Sequence, residues 1–200
     1  MKLETKRLIL RPAKKKDWKD ILEGAKDLEV SKMLGTVPHP YKKKDAEWFV
    51  NDNQKKWRKK EKTDYTFFIE LKSGKKVIGA TGIHKIDKVH KTCITGSWIN
   101  KKYWRNGYIL EAKVAILDFI FNNLKLRKVT SEAFSGNLAS QKMSEKLGFT
   151  REGLKRKEII CKATGKIEDE IMYGLLKEEW KKHRQKIVKE VQKKWKEQQK

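Results

Sequence analysis

Tyr103-Trp104-Arg105-Asn106-Gly107-Tyr108-Ile109-Leu110-Glu111-Ala112 reads as a short glycine loop between a strand and a helix, and the fold turns on it. Upstream, Thr95-Gly96-Ser97-Trp98-Ile99 has the character of a strand. Downstream, Ala112, Ala115, Ile116, Phe119 and Ile120 recur at offsets of three, four, seven and eight, the pattern of one buried helix face. A strand that passes through a glycine turn into a helix leaves backbone N–H groups unpaired at the helix start, where the macrodipole also favours negative charge. That arrangement suits an anion. It equally suits an ordinary strand-to-helix turn, because one glycine does not separate the two.

Outward from this loop, the elements alternate. On the N-terminal side, Arg7-Leu8-Ile9-Leu10-Arg11-Pro12 is a short apolar strand stopped by proline. A helix with Trp18, Ile21, Leu22 and Ala25 on one face follows, then a further helical turn at Val30, Met33 and Leu34, and an extended segment through Val37-Pro38-His39-Pro40-Tyr41. Residues 43–60 carry a helical stripe of Ala46, Phe49, Val50, Asn53 and Trp57. Strands at 65–71, 77–83 and 93–99 make an antiparallel meander, in which Gly79, Gly82 and Gly96 suggest bulges or close backbone approach. Past the loop and its helix, a strand at 127–134 completes a βαβ unit, so it should run parallel to residues 93–99. A helix from Leu138 to Leu147 stops at Gly148, and residues 149–161 and 167–176 form a hairpin around Ala163-Thr164-Gly165-Lys166.

Two hundred residues suit one α/β or α+β domain with a short appendage. The expectation is a domain over residues 1–180 and a basic amphipathic helical extension over 181–200, with Trp180, Ile187, Val188, Val191 and Trp195 along one stripe. That stripe should pack on the domain or on a second subunit, as monomer or homodimer. No apolar run is long enough to span a bilayer, and no signal-peptide core follows the first residues, so a soluble, cytoplasmic protein is expected. Cys93 and Cys161 lie far apart, and His39, His84, His90 and His183 form no metal-binding spacing, which argues against a disulfide framework or a metal enzyme. Lys+Arg 50 against Asp+Glu 26 leaves +24. Such a field attracts polyanions, including nucleic acid, a ribosomal surface or a phosphorylated cofactor; a lysine-rich thermophilic proteome would produce the same composition.

Taken together the segments resemble the GCN5-related N-acetyltransferases (GNAT), and within them the RimJ/RimL type that acetylates protein N-termini. The resemblance rests on residues 7–12, on Val77-Ile78-Gly79, on the loop at 103–112 and on Asn137-Leu138-Ala139-Ser140. It continues through Glu145-Lys146-Leu147-Gly148-Phe149, Arg151-Glu152-Gly153 and residues 169–173. It implies a mixed, mostly antiparallel sheet of about seven strands, splayed at an acetyl-CoA site, with helices on both faces. The pyrophosphate would lie on the backbone of Arg105, Asn106, Gly107, Tyr108, Ile109 and Leu110, beside Trp104. The family pattern expects Gln or Arg, then Gly, then Gly or Ala, whereas Trp104, Gly107 and Ile109 stand there, so only the glycine matches.

The resemblance further implies that Trp98, Ile99 and Asn100 offer a strand edge to the pantetheine amides. Asn137 would bond the cofactor from the other side while also capping its helix. Where many relatives carry the tyrosine that protonates the departing thiolate stands Ser144; the resemblance to RimL-like enzymes implies Ser140, in the Asn-x-x-Ser pattern, as the acid and Glu158 as the base. Ser140 also suits a first-turn helix serine, Glu158 a solvated strand residue and Glu111 a structural carboxylate at a helix start. Three function classes follow: transfer of acetyl to a protein N-terminal amine, transfer to a polyamine or aminoglycoside, and a non-catalytic RNA- or ribosome-binding module. Long-range repulsion from the +24 surface weighs against a polycationic acceptor unless acidic residues line the site.

Overall fold

The computed structural model describes residues 1–197. Eight strands form one sheet: β1 (Leu3–Glu4), β2 (Leu8–Arg11), β3 (Tyr65–Leu71), β4 (Val77–Asp87), β5 (Thr92–Ile99), β6 (Lys128–Phe134), β7 (Thr150–Ile160) and β8 (Ile167–Leu176). Their order is β1-β2-β3-β4-β5-β6-β8-β7. Every neighbouring pair is antiparallel except β5 and β6, the two strands of the βαβ unit. The count exceeds the expected seven because two-residue β1 is too short to carry an alternation pattern.

The helices α1 (Trp18–Ala25), α2 (Leu28–Ser31) and α3 (Lys43–Arg58) come before the meander. Residues 18–25 and 43–58 cover one sheet face, burying Ile21, Ala46 and Val50 on Phe68, Val77 and Ala80. The third helix stops at Arg58 rather than Lys60, where Lys59 turns extended. On the opposite face lies α4 (Tyr108–Asp118), continued by a π-helical turn at Phe119–Asn123, with α5 (Leu138–Lys146) beside it.

The final helix, α6 (Lys177–Glu197), packs on the domain. Its stripe buries Trp180, Ile187 and Val191, with Trp195 partly covered. At its start Trp180 Nε1 donates to Asp118 Oδ1 at 3.0 Å and Arg184 holds both oxygens of the same carboxylate. Near its end Trp195 Nε1 donates to Glu111 Oε2 at 2.9 Å. The helix therefore runs antiparallel to α4, from its C-terminal to its N-terminal end. Positions 198–200 of the expected extension lie outside the described residues. No helix among the described residues is long and apolar enough to cross a membrane.

Sandwiched between the sheet and α6, α4 is buried on two sides, and two of its charged residues are enclosed with its apolar ones: Glu111 and Lys113 are 2% and 7% exposed. The Lys113 ammonium donates to Thr95 Oγ1 at 3.0 Å, and burial brings its pKa down to about 7. An unfolded lysine titrates near 10.4. Between those values the unfolded chain binds a proton that the folded chain does not, so stability rises with pH, by at most about 1.4 kcal/mol per pH unit. Denaturant unfolding of Lys113→Met against wild type should show the variant's advantage at pH 7 shrinking by pH 9.5. A difference that stays constant over this range would refute the linkage.

Candidate functional site

The parallel pairing of β5 with β6 covers only Thr92 to Ile94 against Lys128 to Thr130. Beyond it β5 stays on β4 as far as Ile99, while β6 stays on β8 as far as Phe134, and the two strands part. The backbone phase of β5 follows from Asn100, whose N–H donates to Ile78 O at 2.8 Å. Antiparallel bonding alternates, so Trp98 and Gly96 bond to β4 while Ser97 and Ile99, past the last pair with β6, turn their N–H and C=O groups to the opening. Ile99 O accepts from the Trp104 indole at 2.9 Å. Trp98 and Asn100 thus differ from the expected edge: the Trp98 backbone belongs to β4 with its ring over Gly24 of α1, and the Asn100 N–H is spent on Ile78 O. Asn100 is buried, its Oδ1 accepts from Lys102 N, and its Nδ2 has no hydrogen-bond partner among the described residues.

Two helix starts flank the opening at the C-terminal ends of these strands. Gly107 is the N-cap of α4 at φ 76°, and Arg105 is also left-handed at φ 64°. The first helical bond runs from Glu111 N to Gly107 O at 3.0 Å, so the N–H groups of Tyr108, Ile109 and Leu110 sit in the donor-rich first turn. Ile109 packs partly buried against the core and Leu110 is fully buried. Asn106 Nδ2 bonds Trp104 O at 2.9 Å, which tightens the loop. Across the opening, Asn137 Oδ1 accepts from Ser140 N at 3.1 Å, capping α5 and leaving the amide nitrogen for another partner.

Below the loop Glu111 joins three segments. Its carboxylate accepts from Thr5 Oγ1 at 2.5 Å, Arg7 N at 2.9 Å, Arg7 Nε at 2.7 Å and the Trp195 indole. The Arg7 guanidinium also donates to Asn106 O and lies 4.3 Å from the centre of the Tyr108 ring. Glu111 thereby fixes the loop's position.

On the sheet face away from α4, bordering the splayed half of β6, stands a cluster that sequence reading found only in part. Lys155 Nζ lies 2.7 Å from Glu132 Oε1 and 3.4 Å from Glu158 Oε1. Glu170 stands opposite Lys155 across the β7–β8 ladder. Burial, then the charge of Glu132, holds the Glu170 carboxyl above its ordinary range. Three carboxylates around Lys155, with Lys85 also acting on Glu170, leave a local negative charge inside a strongly positive chain. The period-two alternation of β6 and β8 could have put Glu132 and Glu170 on one face, but only the strand order makes them neighbours. The turn after α2 closes one side of this face, with Gly35 against Ile159 and Phe134.

These residues fit a cofactor that joins a phosphate-bearing end to an amide-bearing arm. The first turn of α4 supplies donors for the phosphates, the free edge of β5 can pair with amides, and Asn137 Nδ2 and the orphaned Asn100 Nδ2 remain as donors.

The acetyltransferase (GNAT) domain family model matches residues 7–150. The uncharacterized N-acetyltransferase YnaD of Bacillus subtilis is 32% identical over 181 residues, 90% of this chain and 99% of that protein. A GNAT-family acetyltransferase structure from Bacillus anthracis superposes with a TM-score of 0.76 at 29% identity, over 89% of this chain and 99% of the other. The spermidine N-acetyltransferase of Vibrio cholerae, solved with CoA and spermine, shares the fold at TM-score 0.73 and 19% identity, over 88% and 99% of the two chains.

Proposed function

Because the chain belongs to the GNAT acetyltransferase family, and so acts as an acetyl-CoA-dependent N-acetyltransferase, we propose that its acceptor is a protein N-terminal α-amine. The observation that carries this reading is the position of the Glu132, Glu158 and Glu170 cluster beside the β5–β6 opening. An acceptor amine arrives protonated and must lose a proton before it can attack. Carboxylates attract the ammonium, and the one with the raised pKa suits its deprotonation. Glu170 meets that description better than Glu158, which is more exposed and paired with Lys155. The cluster lies on an open sheet face beside the exposed strand β7, which admits an extended peptide.

Acetyl-CoA, when bound, supplies an acetyl thioester in the opening. The first turn of α4, the edge at Ser97 and Ile99, and Asn137 hold and orient it, while Ser140 Oγ can deliver a proton to the departing sulfur. Glu170→Gln should lower kcat by about 10- to 100-fold and remove the acidic limb of the pH–rate profile, since an amide accepts no proton in this range. That limb should lie above the ordinary carboxylate range in wild type. An unchanged profile would exclude Glu170 as base.

The three carboxylates also favour a second reading, a polyamine acceptor, as in the Vibrio cholerae relative of the same fold. The two readings separate on incubation with acetyl-CoA and a panel of N-terminally free peptides and polyamines, followed by mass spectrometry. Acetylated peptide α-amines support the first, and products from polyamines alone support the second.

A further inference from the structure

The basic terminal helix lies outside the resemblance that the sequence carries, yet its last turns end at the glycine loop. Trp195 anchors them there through Glu111. One residue earlier, the side chain of Lys194 crosses the face of Gly107: a Cβ on that glycine would meet Lys194 Cδ at 2.8 Å and Lys194 Cβ at 3.8 Å. The ammonium is two bonds beyond Cδ, so it stays in the immediate surroundings of the α4 first turn. Lys194 is half-buried, and its stem is packed on the loop rather than extended into solvent.

We infer that Lys194 is a phosphate-binding residue of the cofactor site, contributed by α6 to complete the cradle begun by the backbone of residues 105–110. This rests on the acetyl-CoA reading above and adds a second cation, from a separate helix, to the loop's own Arg105. Backbone donors at a helix start carry partial charge only, and of the pattern positions Trp104, Gly107 and Ile109 none bears a cation. The partly buried Arg7 guanidinium also borders the loop, its Nη2 at 3.7 Å from a Cβ on Gly107, while its Nε and Nη1 hold Glu111 and Asn106 O. A lysine from a separate helix supplies a full charge to a phosphorylated ligand. It also links cofactor binding to the docking of α6, since the same turn carries Trp195.

Calorimetry with CoA on the full chain tests this, using Lys194→Met, Lys194→Arg and Lys189→Met. Lys189 lies exposed on the same helix, and its loss removes the same net charge away from the loop. Lys194→Met should weaken CoA about tenfold, Lys194→Arg should stay within about threefold of wild type, and Lys189→Met should leave affinity unchanged. Thermal midpoints of the three variants should agree. Wild-type affinity in Lys194→Met, or equal weakening in Lys189→Met, overturns the inference and leaves the acetyltransferase reading standing. Failure of the wild-type chain to bind CoA would instead remove the acetyl-CoA reading on which it rests.

Discussion

Glu111→Ala should lower the unfolding free energy by about 3–5 kcal/mol, the range expected when one partner of a buried ion pair is removed. In a chain of this size that corresponds to a fall of roughly 10 °C in melting midpoint. The carboxylate is 2% exposed and accepts four hydrogen bonds, from Thr5, twice from Arg7, and from Trp195. Its removal takes an acceptor from each at once and leaves partly buried donors unpaired beside the space it vacates. Glu111→Gln should cost less, because the amide oxygen keeps part of the set while losing the charge. The alanine variant should also weaken CoA binding, because the Arg7 and Trp195 contacts set the loop and the end of α6. Denaturant unfolding gives the stability term. A change below about 1 kcal/mol would show that the four bonds are not made in solution.

Glu111 shows where the sequence was informative and where it stopped. A glutamate at a helix start is readable as structural from its place beside the dipole, and that reading agrees with the buried hub. Its partners were not readable, since Thr5, Arg7 and Trp195 are brought together only by β2 and α6 closing on α4 from two sides. The same enclosure explains Lys113. A lysine in a helix usually marks the solvent side, and the periodicity of Ala112, Ala115, Ile116, Phe119 and Ile120 gave one stripe, whereas α4 has two buried sides. The meander and the βαβ crossover were legible because alternation and helical period are local. The acidic cluster was legible only at Glu158. Glu132 and Glu170 become diagonal neighbours on one face because β8 inserts between β6 and β7, a choice made by packing rather than by any local pattern. The backbone of Trp98 departs from the expected open edge for a related reason: the phase of β5 depends on its register with β4, and a one-residue slip reverses which groups face outward.

Gly107→Val should raise the Kd for CoA by at least about 100-fold and abolish measurable acetyl transfer at ordinary cofactor concentrations, while the chain still folds. The backbone at residue 107 has φ 76°, which costs a residue with a side chain about 1–2 kcal/mol, and more for a β-branched one. The added Cβ would also press on Lys194 Cδ at 2.8 Å. Two responses are available to the loop. If residue 107 keeps its conformation, the valine side chain displaces the Lys194 stem and occupies the ground above the α4 donors. If it leaves the left-handed region, the N–H groups of Tyr108, Ile109 and Leu110 are re-aimed, and their convergence on one anion is lost. Both routes remove phosphate binding, whereas the core beneath, fixed by Leu110, Ala112 and Ile116, changes little. Gly107→Ala, with a smaller side chain and less strain, should fall between the two, at about tenfold. The ordering Gly, Ala, Val in CoA affinity, with melting midpoints within a few degrees, would identify the turn at 107 as the phosphate cradle. Affinity for CoA within threefold of wild type in Gly107→Val would place the phosphates elsewhere.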